Sequence, residues 1–223
     1  MRVFAISDVH LSLGVENKSM DVFGTGWARH IQRLQEGWRD TVAPGDLVLL
    51  AGDISWAMYR QDAREDLFFL HTLPGTKVLL RGNHDFWWSG YSKVLSMLPP
   101  SLKAVQNNAL RLGDICICGT RGWMNDPIEK KVLLRECGRL RMSLEEGKKS
   151  GKEPLVFLHY PPVFGGGECY EILDVLLEYG IRQVYYGHIH GYSSGYAING
   201  IRNGIDFRLI SCDFVQFNPV KIM

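Results

Sequence analysis

Arg2-Val3-Phe4-Ala5-Ile6-Ser7 runs directly into Asp8-Val9-His10, so a short apolar run ends in two side chains able to bind a metal. The run has the length and β-branched content of a buried strand. The same order, apolar run and then polar cluster, recurs along the chain. Further runs are Leu47 to Ala51, Lys77 to Leu80, Ile115 to Cys118, Leu155 to Leu158, Gln183 to Tyr186 and Phe207 to Ser211. Between the first two runs, Trp27, Ile31, Leu34, Trp38 and Val42 follow helical spacing, and Pro44-Gly45 ends that helix before the next strand. The reading is a βαβ unit.

Working outward, a second helix is expected from about Gln61 to Leu73, ended by Pro74-Gly75, and a third from Ser89 to Met97, ended by Pro99-Pro100. The longest helix is expected from Pro127 to Gly147. Pro127 suits a first helical position, and Ile128, Val132, Cys137, Leu140 and Leu144 make one stripe. Its many charges read as a solvated face. Another helix is expected from Glu168 to Tyr179, closed by Gly180. Gly195, Asn199-Gly200 and Asn203-Gly204 separate short apolar stretches near the end, which reads as hairpins and a strand. Strands alternating with helices make this a layered α/β protein with a mixed sheet or two packed sheets.

A chain of 223 residues can bury one substantial core, and no linker or repeat divides it, so residues 1–223 are expected to form a single domain. The net charge of +1, from 25 basic and 24 acidic residues, supplies no global field for nucleic acid or an anionic membrane. The opening run is too quickly followed by charge to be a signal peptide, and no apolar stretch approaches the ~20 residues of a membrane span. A soluble, cytoplasmic protein is expected. Five cysteines without a C-x-x-C spacing indicate neither a disulfide framework nor a structural zinc site. Cys116 and Cys118 read as one face of a buried strand.

Five of the seven histidines lie in tight polar clusters after the apolar runs. The clusters are Asp8-Val9-His10, Gly52-Asp53, Gly82-Asn83-His84-Asp85, His159-Tyr160-Pro161-Pro162 and Gly187-His188-Ile189-His190. In open α/β sheets ligands bind beyond the carboxyl ends of the strands, so these segments are expected to converge. Carboxylate and amide oxygens with imidazole nitrogens suit Mn, Fe, Zn or similar divalent ions. The glycines at 52, 82 and 187 let backbone lie close to bound ions or phosphate oxygens.

In this order the clusters resemble the motif series of the calcineurin-like metallophosphoesterase superfamily: D-x-H, GD, GNH-D/E, a single H, then GH-x-H. The resemblance spans Asp8 to His190. It implies an α/β/β/α four-layer sandwich of two mixed sheets flanked by helices. It also implies that Asp8, His10 and His190 hold one ion, that Asn83, His159 and His188 hold the other, and that Asp53 bridges them. His84 matches the family histidine that faces the phosphoryl group, where it can stabilise the transition state or protonate the leaving oxygen. Asp85 is read as orienting His84. Two cations about 3.5 to 4 Å apart lower the pKa of a shared water and polarise the phosphoryl oxygens, so hydroxide attacks phosphorus in line.

Ile54-Ser55-Trp56 follows Gly52-Asp53, where the protein serine/threonine phosphatase branch carries a further Asp and Arg. That branch is disfavoured. Trp56, Trp87, Trp88 and Trp123 can wall a nucleobase or aryl group, although packing is the simpler account. Arg81 and Arg121 can pair with a substrate phosphate or a structural carboxylate. Gly165-Gly166-Gly167 reads as a rim loop or a plain turn, and His30 and His71 as surface residues outside the motifs. The expected activity is hydrolysis of a phosphomonoester or small phosphodiester, with nucleotides among the candidate substrates. A nuclease of the same superfamily expects a basic groove, and a non-catalytic scaffold expects lost ligands. Neither departure is seen in this sequence.

Overall fold

In the computed structural model, which describes residues 1–124 and 129–223, the apolar runs become strands of two sheets. The first sheet holds β1 (Val3–Ile6), β2 (Leu47–Leu50), β3 (Thr76–Leu80) and β4 (Leu102–Val105) in parallel, with β13 (Val220–Lys221) antiparallel on β1. In the second, β6 (Ile115–Thr120), β7 (Pro154–Leu158), β10 (Gln183–Tyr186) and β12 (Ile205–Leu209) run parallel. Antiparallel β5 (Leu110–Leu112) and β11 (Gly200–Arg202) close its two edges. A separate small hairpin pairs β8 (Val163–Phe164) with β9 (Gly167–Glu168), and Gly165 and Gly166 form its turn in left-handed backbone.

Side chains on a strand alternate between faces, and here alternation builds three apolar layers. Phe4, Ile6, Val48 and Leu50 face α1 (His30–Thr41), α2 (Arg64–Thr72) and α3 (Tyr91–Leu95), where Leu34, Trp38, Leu67 and Val94 meet them. Val3, Ala5, Leu47, Leu49 and Val78 pack against Ile115, Ile117, Phe157 and Tyr185 between the sheets. Cys116, Cys118, Val156 and Val184 face α4 (Lys130–Lys148) and α5 (Tyr170–Glu178). The order is helices, sheet, sheet, helices, an α/β architecture of two mixed sheets. All five cysteines are free and buried, Cys116 and Cys118 on the face read from the sequence. Among the described residues no helix is long and apolar enough to cross a membrane.

Several boundaries differ from the sequence reading for local reasons. Trp27 belongs to a 3₁₀ turn, Thr25–Trp27, because Arg29 takes left-handed backbone (φ 53°) and α1 starts only at His30. Trp27 still packs in the stripe that suggested one longer helix. Pro127 and Ile128, the expected start of the longest helix, lie outside the described residues. Within α4 the charged face has an exception, since Glu136 is buried beside Leu133, Cys137 and Leu140. The hairpin between β11 and β12 turns at Asn203-Gly204, both left-handed (φ 53° and 78°), as a two-residue turn with right-handed twist requires.

Asp66 ties the start of α2 to the loops above β1 and β2: its carboxylate accepts from Leu13 N (2.7 Å) and from the Ser55 hydroxyl. Burial, outweighing these bonds, pushes its pKa from 3.8 to about 6. The folded state therefore holds this proton more tightly than the unfolded chain. Its contribution is complete below pH 3.8 and is lost as pH rises through about 6. The difference is worth ~3 kcal/mol at most. Asp66→Asn is expected to flatten the decline of stability between pH 4 and 6 in urea unfolding series; an unchanged slope would remove this explanation.

Candidate metal centre

The parallel strands β1, β2, β3, β7 and β10 deliver their carboxyl ends to one region. A bridge between Ser7, after β1, and Ser211, after β12, joins the two sheets there. Backbone bonds lock the loops together: Asp8 N donates to Gly52 O (2.9 Å), His10 N to Asp53 O (3.0 Å) and Gly187 N to His159 O (3.2 Å). Asp8, His10, Asp53 and His188 all take left-handed backbone, with φ between 43° and 72°. Such conformations are costly for residues with a side chain and persist where the surroundings impose them. Gly187 is needed for room, because a methyl group on it would overlap Asp8 Oδ2 and Ser7 Oγ.

The structure brings six of the sequence-derived donors into two groups, Asp8 with His10 and His190, and Asp53 with His159 and His188, each group's ligand atoms lying within 4.8 Å of one another. The seventh, Asn83, points its Oδ1 at His159 Nε2 (2.7 Å). Asp53 Oδ2 lies 3.7 Å from His10 Nε2 and 3.5 Å from His159 Nε2, so it stands between the groups. His190 Nε2 is 3.4 Å from both Asp8 Oδ1 and His10 Nε2.

Hydrogen bonding fixes which ring nitrogens face inward. His159 Nδ1 lies 2.9 Å from Ala51 O, a carbonyl that only accepts, so Nδ1 carries the proton and Nε2 offers a lone pair. That lone pair faces the Asn83 and Asp53 oxygens. His190 repeats the pattern: its Nδ1 is 2.9 Å from Asp213 Oδ1, and Nε2 is left toward Asp8. Imidazole nitrogens and carboxylate oxygens converging on one region are what a divalent cation requires. A histidine oriented by a carbonyl or carboxylate behind it is the usual support. The donor set fits oxygen- and nitrogen-binding metals.

Charges inside the cage are uneven. Burial, then the charges of Asp8 and Asp85, push the Asp53 carboxyl well above its usual range. Asp8 is pulled the other way: burial opposes its charge, but His190, His159 and His10 outweigh burial and hold it far down. Burial lowers His159 to about 3 and His188 to about 4. Burial also opposes charge on His190, yet Asp8 and Asp213 together raise it to about 10. Two carboxylates, one of them fully buried, that compete for one positive ring have room for more positive charge.

His84 is half-buried. Its ring centroid is 4.5 Å from that of Trp56 and 5.8 Å from that of His10, while its backbone N–H, not its ring, donates to Asp53 Oδ1 (2.8 Å). Asp85 does not orient the His84 ring as the sequence reading had it. Its buried carboxylate is filled by Ile54 N, Ser55 N, Gly82 N and Trp87 Nε1, at 2.7 to 3.1 Å. Asp85 instead clips the GNHD loop to the loop after β2. Trp56 stacks on His10 with centroids 5.0 Å apart, and Trp87 and Trp88 are buried in the packing under the site. His30 is a buried residue, with Nε2 3.3 Å from His10 O, and His71 is half-buried against Ser101 (2.8 Å); neither is the surface residue expected.

Sequence reasoning missed Asp213 and Ser211. Ser211 Oγ donates to Asp8 Oδ2 (3.0 Å), and Asp213 accepts from Gly191 N (2.7 Å) besides holding His190. Both follow β12, and their only sequence signal is a polar residue after a strand.

The layered fold and paired donor groups define a two-sheet α/β framework able to hold metal ions. Residues 1–192 match the family described as Calcineurin-like phosphoesterase, and the chain belongs to that family. It is a metal-dependent hydrolase of phosphoesters. No curated protein matches it in sequence. Similar solved structures include AQ665 of Aquifex aeolicus, described as a protein of unknown function, at 16% identity and TM-score 0.55, covering 99% of this chain and 95% of that one. Another is the phosphopantetheinyl hydrolase PptH of Mycobacterium tuberculosis, at 14% identity and TM-score 0.53, covering 100% and 95%. Likeness at these identities concerns the fold.

Proposed function

We propose that this chain hydrolyses a phosphomonoester or small phosphodiester at a two-metal centre in which Asp8, His10 and His190 hold one ion, Asn83, His159 and His188 the other, and Asp53 both. The observation that carries this reading is the inward convergence of the His159 lone pair with the Asn83 and Asp53 side-chain oxygens. When bound, two such ions supply an acidified water and polarised phosphoryl oxygens. The chain's own residues do the rest. Asp213 and the Ala51 carbonyl orient His190 and His159, Trp56 packs on His84, and His84 faces the phosphoryl group, where it stabilises the transition state or protonates the leaving oxygen. The substrate is a small phosphorylated molecule, a nucleotide among the candidates. Five free, buried cysteines fit work in the cytoplasm. The name of the phosphopantetheinyl hydrolase that shares the fold is consistent with a hydrolytic role.

The test is metal analysis of the protein as purified, followed by assays with p-nitrophenyl phosphate and bis-p-nitrophenyl phosphate after Mn²⁺ reconstitution. Bound metal and turnover of at least one substrate are expected, and the ratio of the two rates separates monoesterase from diesterase. A folded protein that binds no metal and turns over neither substrate overturns the reading.

A further inference from the structure

Beside the metal centre, a cavity of about 50 Å³ opens between the ends of β3, β4 and β6 and the side of α4. That is three to four times the room one water needs. Three arginines line it, Arg81, Arg121 and Arg139, together with Gln106, Asn107 and one carboxylate, Glu136. Glu136 is already engaged. Arg139 Nη1 donates to its Oε1 (2.5 Å), Thr120 Oγ1 donates to its Oε2 (2.6 Å), and Arg121 Nη2 stands 3.7 Å away. Among the described lining residues, three guanidinium groups against one carboxylate leave an excess of two positive charges. Among the described residues Arg81 has no ion-pair partner, and the Nε atoms of Arg81 and Arg121 are buried without an acceptor. Burial, then the neighbouring charge of Arg121, lowers the pKa of the Arg81 guanidinium, although a guanidinium stays charged in proteins. Arg121 is held in place by Trp123, its Cζ 4.6 Å from the ring centroid.

The cavity shares its backbone with one half of the metal cage. Arg81 is two residues from Asn83, a reach of about 7 Å, and the Arg121 carbonyl accepts from His159 N (3.1 Å) and Tyr160 N (2.8 Å). Oriented guanidinium donors without acceptors are matched best by a tetrahedral or planar oxyanion, which takes two N–H bonds from each fork. We infer that this cavity is an anion subsite, which holds a second phosphate or carboxylate of a substrate whose scissile phosphoester lies at the metal centre. The inference rests on the phosphoesterase reading and narrows it: the substrate is a small phosphoester with another anionic group a few bonds away. The surplus guanidinium charge does the selecting, because a substrate with a single charge leaves it unmatched.

Calorimetric titration of inorganic phosphate into chelator-treated, metal-free protein tests the site without the metal centre's attraction. Wild type is expected to bind, and Arg121→Gln and Arg139→Gln to bind at least tenfold more weakly. Arg139 is 44% exposed, so its variant is the one expected to keep its melting temperature. In the metal-loaded enzyme, Arg139→Gln is expected to raise KM at least tenfold for nitrophenyl phosphates carrying a second phosphate or a carboxylate. KM for p-nitrophenyl phosphate should change less than twofold. Comparing the phosphate and carboxylate forms identifies which anion the cavity takes. Absence of phosphate binding, binding indifferent to both substitutions, or equal KM changes on all substrates overturns the subsite. Phosphate binding that is sensitive to both arginines in a protein hydrolysing nothing instead overturns the phosphoesterase reading and the substrate role built on it.

Discussion

Replacing His84 by alanine is expected to lower kcat by about 10²- to 10⁴-fold while leaving the metal in place. Neither donor group contains a His84 atom, and the bond that this residue makes to Asp53 comes from its backbone, which alanine keeps. On the function proposed above, the ring acts on the phosphoryl group rather than on the metal. It lies against Trp56 and within 5.8 Å of His10, half-open to the region in front of the donors. If its task is to protonate the leaving oxygen, the loss depends on the leaving group. An alkyl phosphate, whose alkoxide departs poorly, should suffer most, and p-nitrophenyl phosphate least. A uniform loss across leaving groups would mean that the ring stabilises charge on the phosphoryl oxygens instead. Loss of metal, or a rate within about fivefold of wild type on an alkyl phosphate, would remove His84 from the chemistry, since general acid–base catalysis is worth far more than that.

The strands were legible because six of them are buried on both faces and so appear as unbroken apolar runs. Among those that escaped, β4 and β5 show why patterning has a limit. β4 is interrupted by exposed Lys103, and β5 presents exposed Arg111 between two partly buried leucines. The donors were legible because each sits directly after such a run, so strand direction alone brings them to one end of the sheets. What supports them was not. Asp213 has no neighbour in sequence that marks it, and becomes the partner of His190 only because β10 and β12 pair in parallel register, placing their ends side by side. Asp85 was read from its neighbour in sequence, His84, yet its bonds cross to a loop 30 residues away. Adjacency along the chain is a poor guide for a carboxylate that takes two of its four donors, Ile54 N and Ser55 N, from a distant loop. His30 failed for a related reason. It lies at the first turn of a helix, and contacts with the loop of His10, with Trp27 and with Phe217 bury it.

Gly82→Ala is expected to be the most damaging single methyl group that the chain can receive at the site. Gly82 does not need unusual backbone freedom. What it supplies is space, since an added Cβ would overlap Asp53 Oδ1 and Asp53 N, which are backbone and carboxylate rather than the end of a flexible chain. The conflict can be relieved only by moving Asp53, the carboxylate between the two donor groups, or by pushing the GNHD loop outward. That loop is clipped to the loop after β2 by Ile54 N and Ser55 N, which donate to Asp85 (2.9 and 3.1 Å), so the second route breaks buried charge-assisted bonds. Either displacement is of the order of 1 Å, enough to cost about 10²-fold in rate. Over-packing of this kind also destabilises by ~1–3 kcal/mol. Metal content per chain should fall with activity, unlike in His84→Ala, and this contrast separates a damaged cage from a missing acid. Gly138→Ala is the matched control: it lies on the exposed face of α4 with nothing within 4 Å of an added Cβ. It should keep metal and rate and gain up to ~1 kcal/mol from helix propensity. A Gly82→Ala protein with full metal and wild-type kcat would show that the loop yields at no cost, and that the close approach of Gly82 does not hold Asp53 in place.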